Sequence, residues 1–573
     1  MGDKIHLAFK AEDVPIRGRN FRDRKESVMN IIVQLIRKGW CSTQGKSCEV
    51  LVVGGAHCNN QYLKAQELLE LFASTFEDGG REAVAKLVTS LNGFWSVVLK
   101  TPDLVFIAVD HVRSHQLLYT VGGEDICVFD DMEDFRRDHH LEFDEDSVQE
   151  YLSSGFVYGE RTLFKGVDSL QAGEMAWLSD RGVERERYYR FHAINGQPFD
   201  PVSWVKKADD MFLTTFRRTL ETIGDRRIAV PLSGGCDSRL IVNYLHRLGV
   251  ENLITFSYGF PNNREAVIAK QISERLGYSW HFVEYDKGLR EREIYDWTDA
   301  NHNRYMCNGC NRPVKQDFHA IKELLHRGVI AAGDVIMPGY AFDLLAGSQL
   351  DRNTYGWCAA STLQGKDCNF FEHGMWRFLN RRIRRILEDS YRDLQWKDIW
   401  ESWIWQERVT KFTNHNVHTY EAFGLNWRLP LWDIELVDFW MSIPRAERLD
   451  RKWFYEHLKD WVEPAIRDVP YYNIHASTKP RNIIGIIYAA VYDRTPNLLK
   501  HYARVMRNAF GLHPAAIKDG NPQSGPVGMR TDVRDRLLRA LPGMNIKERL
   551  MRTHETSRGA YEAMVSLLQM VER

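Results

Sequence analysis

Residues 230–241 read VPLSGGCDSRLI. An apolar, strand-like run breaks into Ser-Gly-Gly and restarts as a helix that opens on an Asp-Ser pair. Adjacent glycines cost backbone entropy, so a chain keeps them where it bends sharply or approaches another group closely. Between a strand and a helix, unpaired N–H groups and the helix dipole favour an anion. Gly234 and Gly235 let the main chain close on phosphate oxygens, and Ser233 and Ser238 can add hydroxyl donors. Asp237 beside a polyphosphate would be repelled unless a cation lay between them, which implies Mg²⁺.

The flanking sequence predicts a parallel sheet. RRIAVPL, NLITFSYG and SWHFVEY read as strands, and the stretches between them as helices. The first helix carries Leu240, Ile241, Tyr244 and Leu245 on one face, and both helices stop at a glycine, Gly249 and Gly277. Such an alternation gives a doubly wound α/β fold with ligands at the carboxyl ends of the strands. GVIAAGD, residues 328–334, is expected as a later strand of that sheet. Upstream, residues 49–189 read mostly as strands with one early helix, YLKAQELLELFASTF; TLFKGVDSL falls among those strands. Residues 195–203, NGQPFDPVS, are the linker candidate. Beyond residue 370 the chain is helical and rich in Trp, Arg and Leu. The expected units are therefore 1–194, 204–508 and a helical extension over 509–573.

With 573 residues, more than one core is required. Lys plus Arg number 76 against 77 for Asp plus Glu, so no overall field draws the chain to nucleic acid or an anionic membrane. The N-terminal residues do not read as a signal peptide, and the longest apolar run, IIGIIYAAVY from Ile483, is too short to span a bilayer. Nine scattered cysteines, an odd number, argue for reduced thiols and a cytoplasmic location. Cys307 and Cys310 form a lone CxxC, read as incidental thiols rather than a zinc site.

S-G-G-x-D-S resembles the pyrophosphate loop of the N-type ATP pyrophosphatases, and the Walker pattern is absent. MPGYAFDLLAG (337–347) and FGLNWRLPLWDIELVDFWMSIP (423–444) resemble the Gly-x-x-x-Asp-x-x-x-Gly and GLExRxPFLDxxLVEFxxxLP segments of asparagine synthetases and β-lactam synthetases. LNGFWSVVL and FIAVDHVRSHQLLY resemble the glutaminase domain of the same enzymes. The chain is thus similar to the asparagine synthetase family. The resemblance implies an Ntn-hydrolase-like αββα glutaminase-type domain followed by an adenine nucleotide α-hydrolase-like domain.

It also implies roles. ATP would lie on Leu232, Ser233, Gly234, Gly235, Asp237, Ser238, Ser257, Tyr258 and Gly339, with Mg²⁺ on Asp237 and Asp343. HASTKPRNIIG resembles the family's RxKxxxxxG, which puts the phosphate-contacting lysine at Lys479, with Arg481 a weaker candidate nearby. Tyr340 matches the catalytic tyrosine of β-lactam synthetase. Its glutamate partner would fall at Asn414, a neutral amide beside His415, a histidine read first as packed and hydrogen-bonded. The implied chemistry is AMP-forming: a carboxylate is adenylated and an amine or ammonia displaces AMP.

Departures narrow this reading. The chain begins Met1-Gly2 where working glutaminases begin Met-Cys, and Cys41 would need proteolysis to become terminal. The family's glutamine grip, N-G-E-I-Y-N, aligns with GGAHCN (54–59), so its first Asn and its Glu are missing. The expectation is a carbon–nitrogen ligase that does not hydrolyse glutamine and uses a small-molecule or peptide carboxylate with ammonia or an amine. A sugar uronate is one candidate substrate. The alternatives are a peptide macrolactam (lasso) or β-lactam-type cyclase and, from another class, a non-catalytic nucleotide-binding scaffold. Neither nucleic acid nor a membrane is an expected partner. The oligomeric state is open, a homodimer included.

Overall fold

The computed structural model describes residues 30–122, 125–194, 196–285, 300–314, 316–340, 342–350, 373–472, 526–528 and 555–571. The N-terminal half stacks two sheets. One has the order β1-β8-β7-β9, from β1 (Asn30–Gln34), β7 (Leu118–Gly122), β8 (Asp125–Phe129) and β9 (Asp168–Ser169). The other runs β11-β10-β6-β5-β3-β2: β2 (Cys41–Gln44), β3 (Glu49–Cys58), β5 (Asn92–Lys100), β6 (Val105–Val109), β10 (Glu174–Ser179) and β11 (Gly182–Arg187), with β4 (Gln61–Lys64) hairpinned onto β3. Alternation along the strands sends Val98, Ile107, Ile126 and Val128 into the space between the sheets, where they are fully buried.

The outer face of the larger sheet is covered by α1 (Ala65–Ser90) through Leu68, Leu69, Phe72, Val84 and Val88. This helix continues past its expected end, with Gly80 absorbing a kink at φ +60°. The outer face of the smaller sheet is covered by α2 (Glu145–Ser154) and by α9 (Arg558–Val571). The helix from the end of the chain is thus built into the outer layer of the N-terminal half, and the four layers are helix, sheet, sheet, helix. Of the TLFKGVDSL stretch only Asp168–Ser169 pairs as a strand.

After residues 196–202, which carry no regular helix or strand, α3 (Ser203–Glu221) leads into a five-stranded sheet. Its order is β14-β13-β12-β15-β16 and every pair is parallel: β12 (Ile228–Pro231), β13 (Leu253–Gly259), β14 (Ser279–Glu284), β15 (Val335–Ile336) and β16 (Asn426–Trp427). Helices α4 (Asp237–Arg247) and α5 (Arg264–Arg275) make the crossovers. GVIAAGD is not a strand. Gly328 and Gly333 turn with φ of +67° and +91°, and the Asp334 carboxylate accepts the Ala331 N–H at 2.8 Å. That local bond competes with extended pairing, and the strand starts only at Val335.

The halves are locked together by polar contacts. His111 Nε2 lies 2.6 Å from the Trp432 carbonyl, and Tyr189 OH donates to Asp438 at 3.1 Å. Lys411 Nζ, fully buried, donates to the carbonyls of Val157 and Gly159 at 2.9 and 2.8 Å and pairs with Glu407 at 2.7 Å. A buried ammonium is tolerable only with its donors engaged in this way. No helix of the described residues is long and apolar enough to cross a membrane.

Candidate active site

The strand order reverses at β12. From it the chain moves outward to β13 and β14 on one side and returns to β15 on the other. The connections leaving β12 and β15 therefore diverge and leave a crevice at the carboxyl ends of those strands. The Ser-Gly-Gly loop follows β12, and residues 337–343 follow β15, so topology alone brings together two segments about a hundred residues apart.

Within the loop, Ser238 Oγ accepts the Ser233 N–H at 3.0 Å, and Ser233 Oγ accepts the Gly235 N–H at 3.2 Å. The two hydroxyls lie 3.1 Å apart. Gly339 crosses directly over the start of α4: a Cβ there would lie 2.7 Å from the Ser238 nitrogen and 2.8 Å from the Asp237 carbonyl carbon. A glycine is thus required by close backbone approach. This approach lets the Asp343 N–H donate to Asp237 Oδ2 at 3.2 Å. Asp343 Oδ2 in turn accepts from Ser348 Oγ at 2.6 Å. Tyr472 N–H donates to the Gly234 carbonyl at 2.9 Å, and Arg239 holds the carbonyls of Val469 and Pro470 at 2.8 and 2.6 Å. The segment leading toward Lys479 therefore leaves from the loop itself. Lys479 and Arg481 lie outside the described residues.

Desolvation, then the neighbouring Asp343 carboxylate, push the Asp237 carboxyl well above its usual range, with the Arg451 charge opposing them. Paired carboxylates at an anion-binding loop suit a hard divalent cation. Among the described residues no group of three or more His, Cys, Asp or Glu could hold a metal. Asp237 and Asp343 would hold Mg²⁺, a cation that usually keeps several waters and phosphate oxygens in its shell.

The adenine-side candidates are engaged within the protein. Leu232 is buried and its carbonyl accepts from Ser257 Oγ at 2.7 Å; Ser257 Oγ also accepts Trp280 Nε1–H at 3.0 Å. Tyr258 OH donates to Asp317 Oδ1 at 2.6 Å. Tyr340 OH donates to Asp317 Oδ2 at 2.6 Å, lies 2.6 Å from Tyr420 OH and accepts from Asn416 Nδ2 at 2.6 Å. Tyr420 OH also reaches Asp317 Oδ2. Burial, then the Asp317 charge, raise all three phenols well above their ordinary value.

Asp317, Tyr420 and Asn416 were not legible as site residues. Asp317 precedes α7 (Phe318–His326) in the position of an N-cap, yet its side chain makes no capping bond and turns to the tyrosines instead. Asn414 is not the partner of Tyr340; the carboxylate there is Asp317, and Asn416 donates to the phenol from the other side. His415 Nε2–H donates to the Met306 carbonyl at 2.6 Å, and burial holds its pKa well below the usual value. It is packed, not poised as a base.

In the N-terminal half, the grip positions Gly54 and Gly55 open onto a cavity of about 880 Å³ between the halves. Gly54 has φ +86°, and a Cβ there would fall 2.0 Å from the Phe94 carbonyl oxygen. Ala56, where the family has its glutamate, is fully buried. Cys41 is half-buried on β2, and Cys307 and Cys310 are buried free thiols.

Comparison with known proteins reports on both halves. A model described as Asparagine synthase matches residues 211–300, and a Glutamine amidotransferase domain model matches residues 59–189. Among curated proteins, the tRNA-specific 2-thiouridylase MnmA of Nitrobacter hamburgensis is 26% identical over 163 residues, covering 25% of this chain and 41% of the relative. MnmA of Maricaulis maris is 27% identical over 191 residues, covering 30% and 44%. The chain spans less than half the length of these curated relatives. Among solved structures, NMN synthetase from Francisella tularensis aligns at 13% identity over 44% of this chain and 97% of that one, with a TM-score of 0.17. A glutamine phosphoribosylpyrophosphate amidotransferase from B. subtilis aligns at 11% identity over 56% and 66%, with a TM-score of 0.19. At those TM-scores the overlays assign nothing to this chain. The two family matches fall one on each side of the linker, in the order the motifs imply, and together they support an asparagine synthetase-family protein with an amidotransferase-type domain.

Proposed function

We propose that the protein is an ATP-dependent, AMP-forming carbon–nitrogen ligase fed by ammonia or an amine rather than by glutamine. The observation that carries this reading is the meeting of Asp237 and Asp343 across the Ser-Gly-Gly loop at the switch point of the sheet. A bound Mg²⁺ would offset negative charge on the phosphates. The loop N–H groups and Ser233 and Ser238 hold the β- and γ-phosphate oxygens, and Lys479 opposes charge at the reacting phosphate. A substrate carboxylate oxygen attacks the α-phosphorus; the bond to the bridging oxygen breaks and pyrophosphate leaves with its electron pair. The amine nitrogen then attacks the acyl carbon and AMP departs. The nitrogen's proton passes to the Tyr340 oxygen as the Tyr340 proton moves to Asp317.

Gly54 and Ala56 stand where the family clamps glutamine, which supports an external nitrogen source. A sugar uronate, giving a uronamide, is the proposed carboxylate. The hydrogen-bonded Tyr340–Asp317 pair favours a second reading in which the amine belongs to the same molecule and the product is a ring. Neither reading needs nucleic acid or a membrane.

The test is Mg²⁺-dependent ATP–pyrophosphate exchange with aspartate, uronate sugars and linear peptides, followed by amide formation with ammonium or glutamine. The reading expects exchange with one carboxylate class, AMP as product, and turnover with ammonium at least about a hundredfold above that with glutamine. Formation of ADP would refute it, equal turnover with glutamine would refute the dead glutaminase, and absence of exchange with every class would leave the scaffold reading in place.

A further inference from the structure

The cavity between the halves has an unbalanced wall. Three carboxylates line it and each is already engaged. Asp131 faces Arg37 at 3.4 Å, Asp433 faces Arg218 at 2.9 Å, and Glu421 faces His418 at 2.6 Å and Trp427 Nε1 at 2.8 Å. Arg428 lines the same cavity without such a partner. Its guanidinium donates to Thr222 Oγ1 at 2.5 Å, to the Thr222 carbonyl at 3.1 Å and to the Trp427 carbonyl at 2.7 Å, all neutral acceptors. Among the described residues no carboxylate lies in ion-pair reach of it.

Of its titratable neighbours, the Tyr62 phenol, which lines the same cavity, favours the charge, and Arg226, which also donates to the Thr222 carbonyl at 2.7 Å, opposes it. Burial is the main influence on Arg428 and pulls its pKa down to about 10, which leaves it charged at neutral pH. The carboxyl end of α3 offsets part of that charge through its dipole, but a dipole end carries about half a charge and here serves two arginines. On the same wall Arg37 keeps Nε and Nη1 buried with no acceptor. These arginine N–H groups need an acceptor that the protein does not supply.

Two departures from the family pattern meet at this cavity. The glutamine grip is gone at Gly54 and Ala56, and the GLExR segment reads Gly424-Leu425-Asn426-Trp427-Arg428, so an asparagine replaces the acid two residues before the arginine. Residues i and i+2 of an extended chain share a face, and Asn426 and Arg428 both line the cavity. Phe94, Phe423 and Trp427 supply flat apolar walls.

We propose that this cavity binds a small organic anion, a carboxylate or phosphate carried on a ring, with its head group on Arg428 and its body between the aromatic walls. The site is separate from the phosphate loop and stands whether or not the ligase reading does. Full-length protein is titrated by calorimetry with benzoate, phenyl phosphate, benzamide and glutamine. Benzoate or phenyl phosphate should bind at least about tenfold more tightly than neutral benzamide and glutamine, and the tighter of the two identifies the head group.

Arg428→Gln, and separately Asn426→Glu, which places an acid beside Arg428, should each weaken anion binding at least about tenfold while the circular dichroism spectrum is kept. Arg428→Lys should restore part of the loss. Equal affinity for benzoate and benzamide, tighter binding of glutamine, or folded Arg428→Gln and Asn426→Glu proteins that bind unchanged would overturn the proposal. So would anion binding that is lost in Gly339→Ala, because the ligand would then sit on the loop. Pyrophosphate exchange, measured in parallel, reports on the loop alone.

Discussion

The two halves differ in which residues of the family motifs they retain. At the switch point of the parallel sheet, Ser233, Gly234, Asp237, Ser238, Gly339 and Asp343 are all present and packed on one another. Across the linker, the glutaminase-type layers are fully built, with strands in register and a sealed inter-sheet core, but the grip positions hold glycine and alanine. Carboxylates mark the contrast. Asp110, at the end of β6, is completely buried and accepts N–H bonds from Trp95 at 3.0 Å, Val112 at 2.8 Å and Ser114 at 3.2 Å. Asp237 is only half-buried and faces a second carboxylate. Burial disfavours the charge on both, but Asp110 is met by three N–H donors that tie a turn together, whereas Asp237 meets a second carboxylate. Core packing and site side chains rest on different residues, so one can change without the other.

The largest effect should come from Asp237→Ala or Asp343→Ala. Each should cut pyrophosphate exchange by about 10²–10³-fold, or about 3–4 kcal/mol in the barrier, with circular dichroism unchanged. Survival of exchange in both would erase the contrast between the halves.

Next comes a pH effect in the N-terminal half. Burial, opposed by the bonds from Ser114, Val112 and Trp95, raises Asp110 to about 6, above its ordinary 3.8. A raised acid favours the folded state while protonated, so its contribution is lost as pH climbs from about 4 to about 6, by about 3 kcal/mol. Denaturant titrations across that window should show stability falling, and Asp110→Asn should flatten the fall. Asp168, raised to about 6 by desolvation, adds in the same direction.

Gly339→Ala should weaken ATP binding by about 2 kcal/mol, since its Cβ meets the backbone of the loop. Equilibrium titration with a non-hydrolysable ATP analogue measures this. Tyr340→Phe should be smallest, at about 1 kcal/mol of stability in thermal unfolding. Amide formation should slow about tenfold while pyrophosphate exchange is kept; loss of exchange instead would place Tyr340 at the nucleotide.

The alternation of strands and helices from residue 226 to 285 carried the parallel sheet, and the glycines carried the loop, because both depend on neighbours in sequence. The expected strand at 328–334 failed through one side chain: Asp334 bonds back to Ala331 and turns the chain. The resemblance puts the partner of Tyr340 at the position of Asn414. Asp317 supplies it from the start of α7, 23 residues before Tyr340 and on a different element.

Legible in the chain alone are the order of elements, the Ser-Gly-Gly loop, and which family residues are present or missing. Periodicity, turn chemistry and contiguous motifs are local and survive without coordinates. Only the tertiary structure decided that Asp343 meets Asp237, that three tyrosines converge on Asp317, and that Arg428 faces a cavity with no carboxylate to spare. Those are pairings between distant segments, and their geometry is set by sheet order and packing, which no stretch of the chain contains alone.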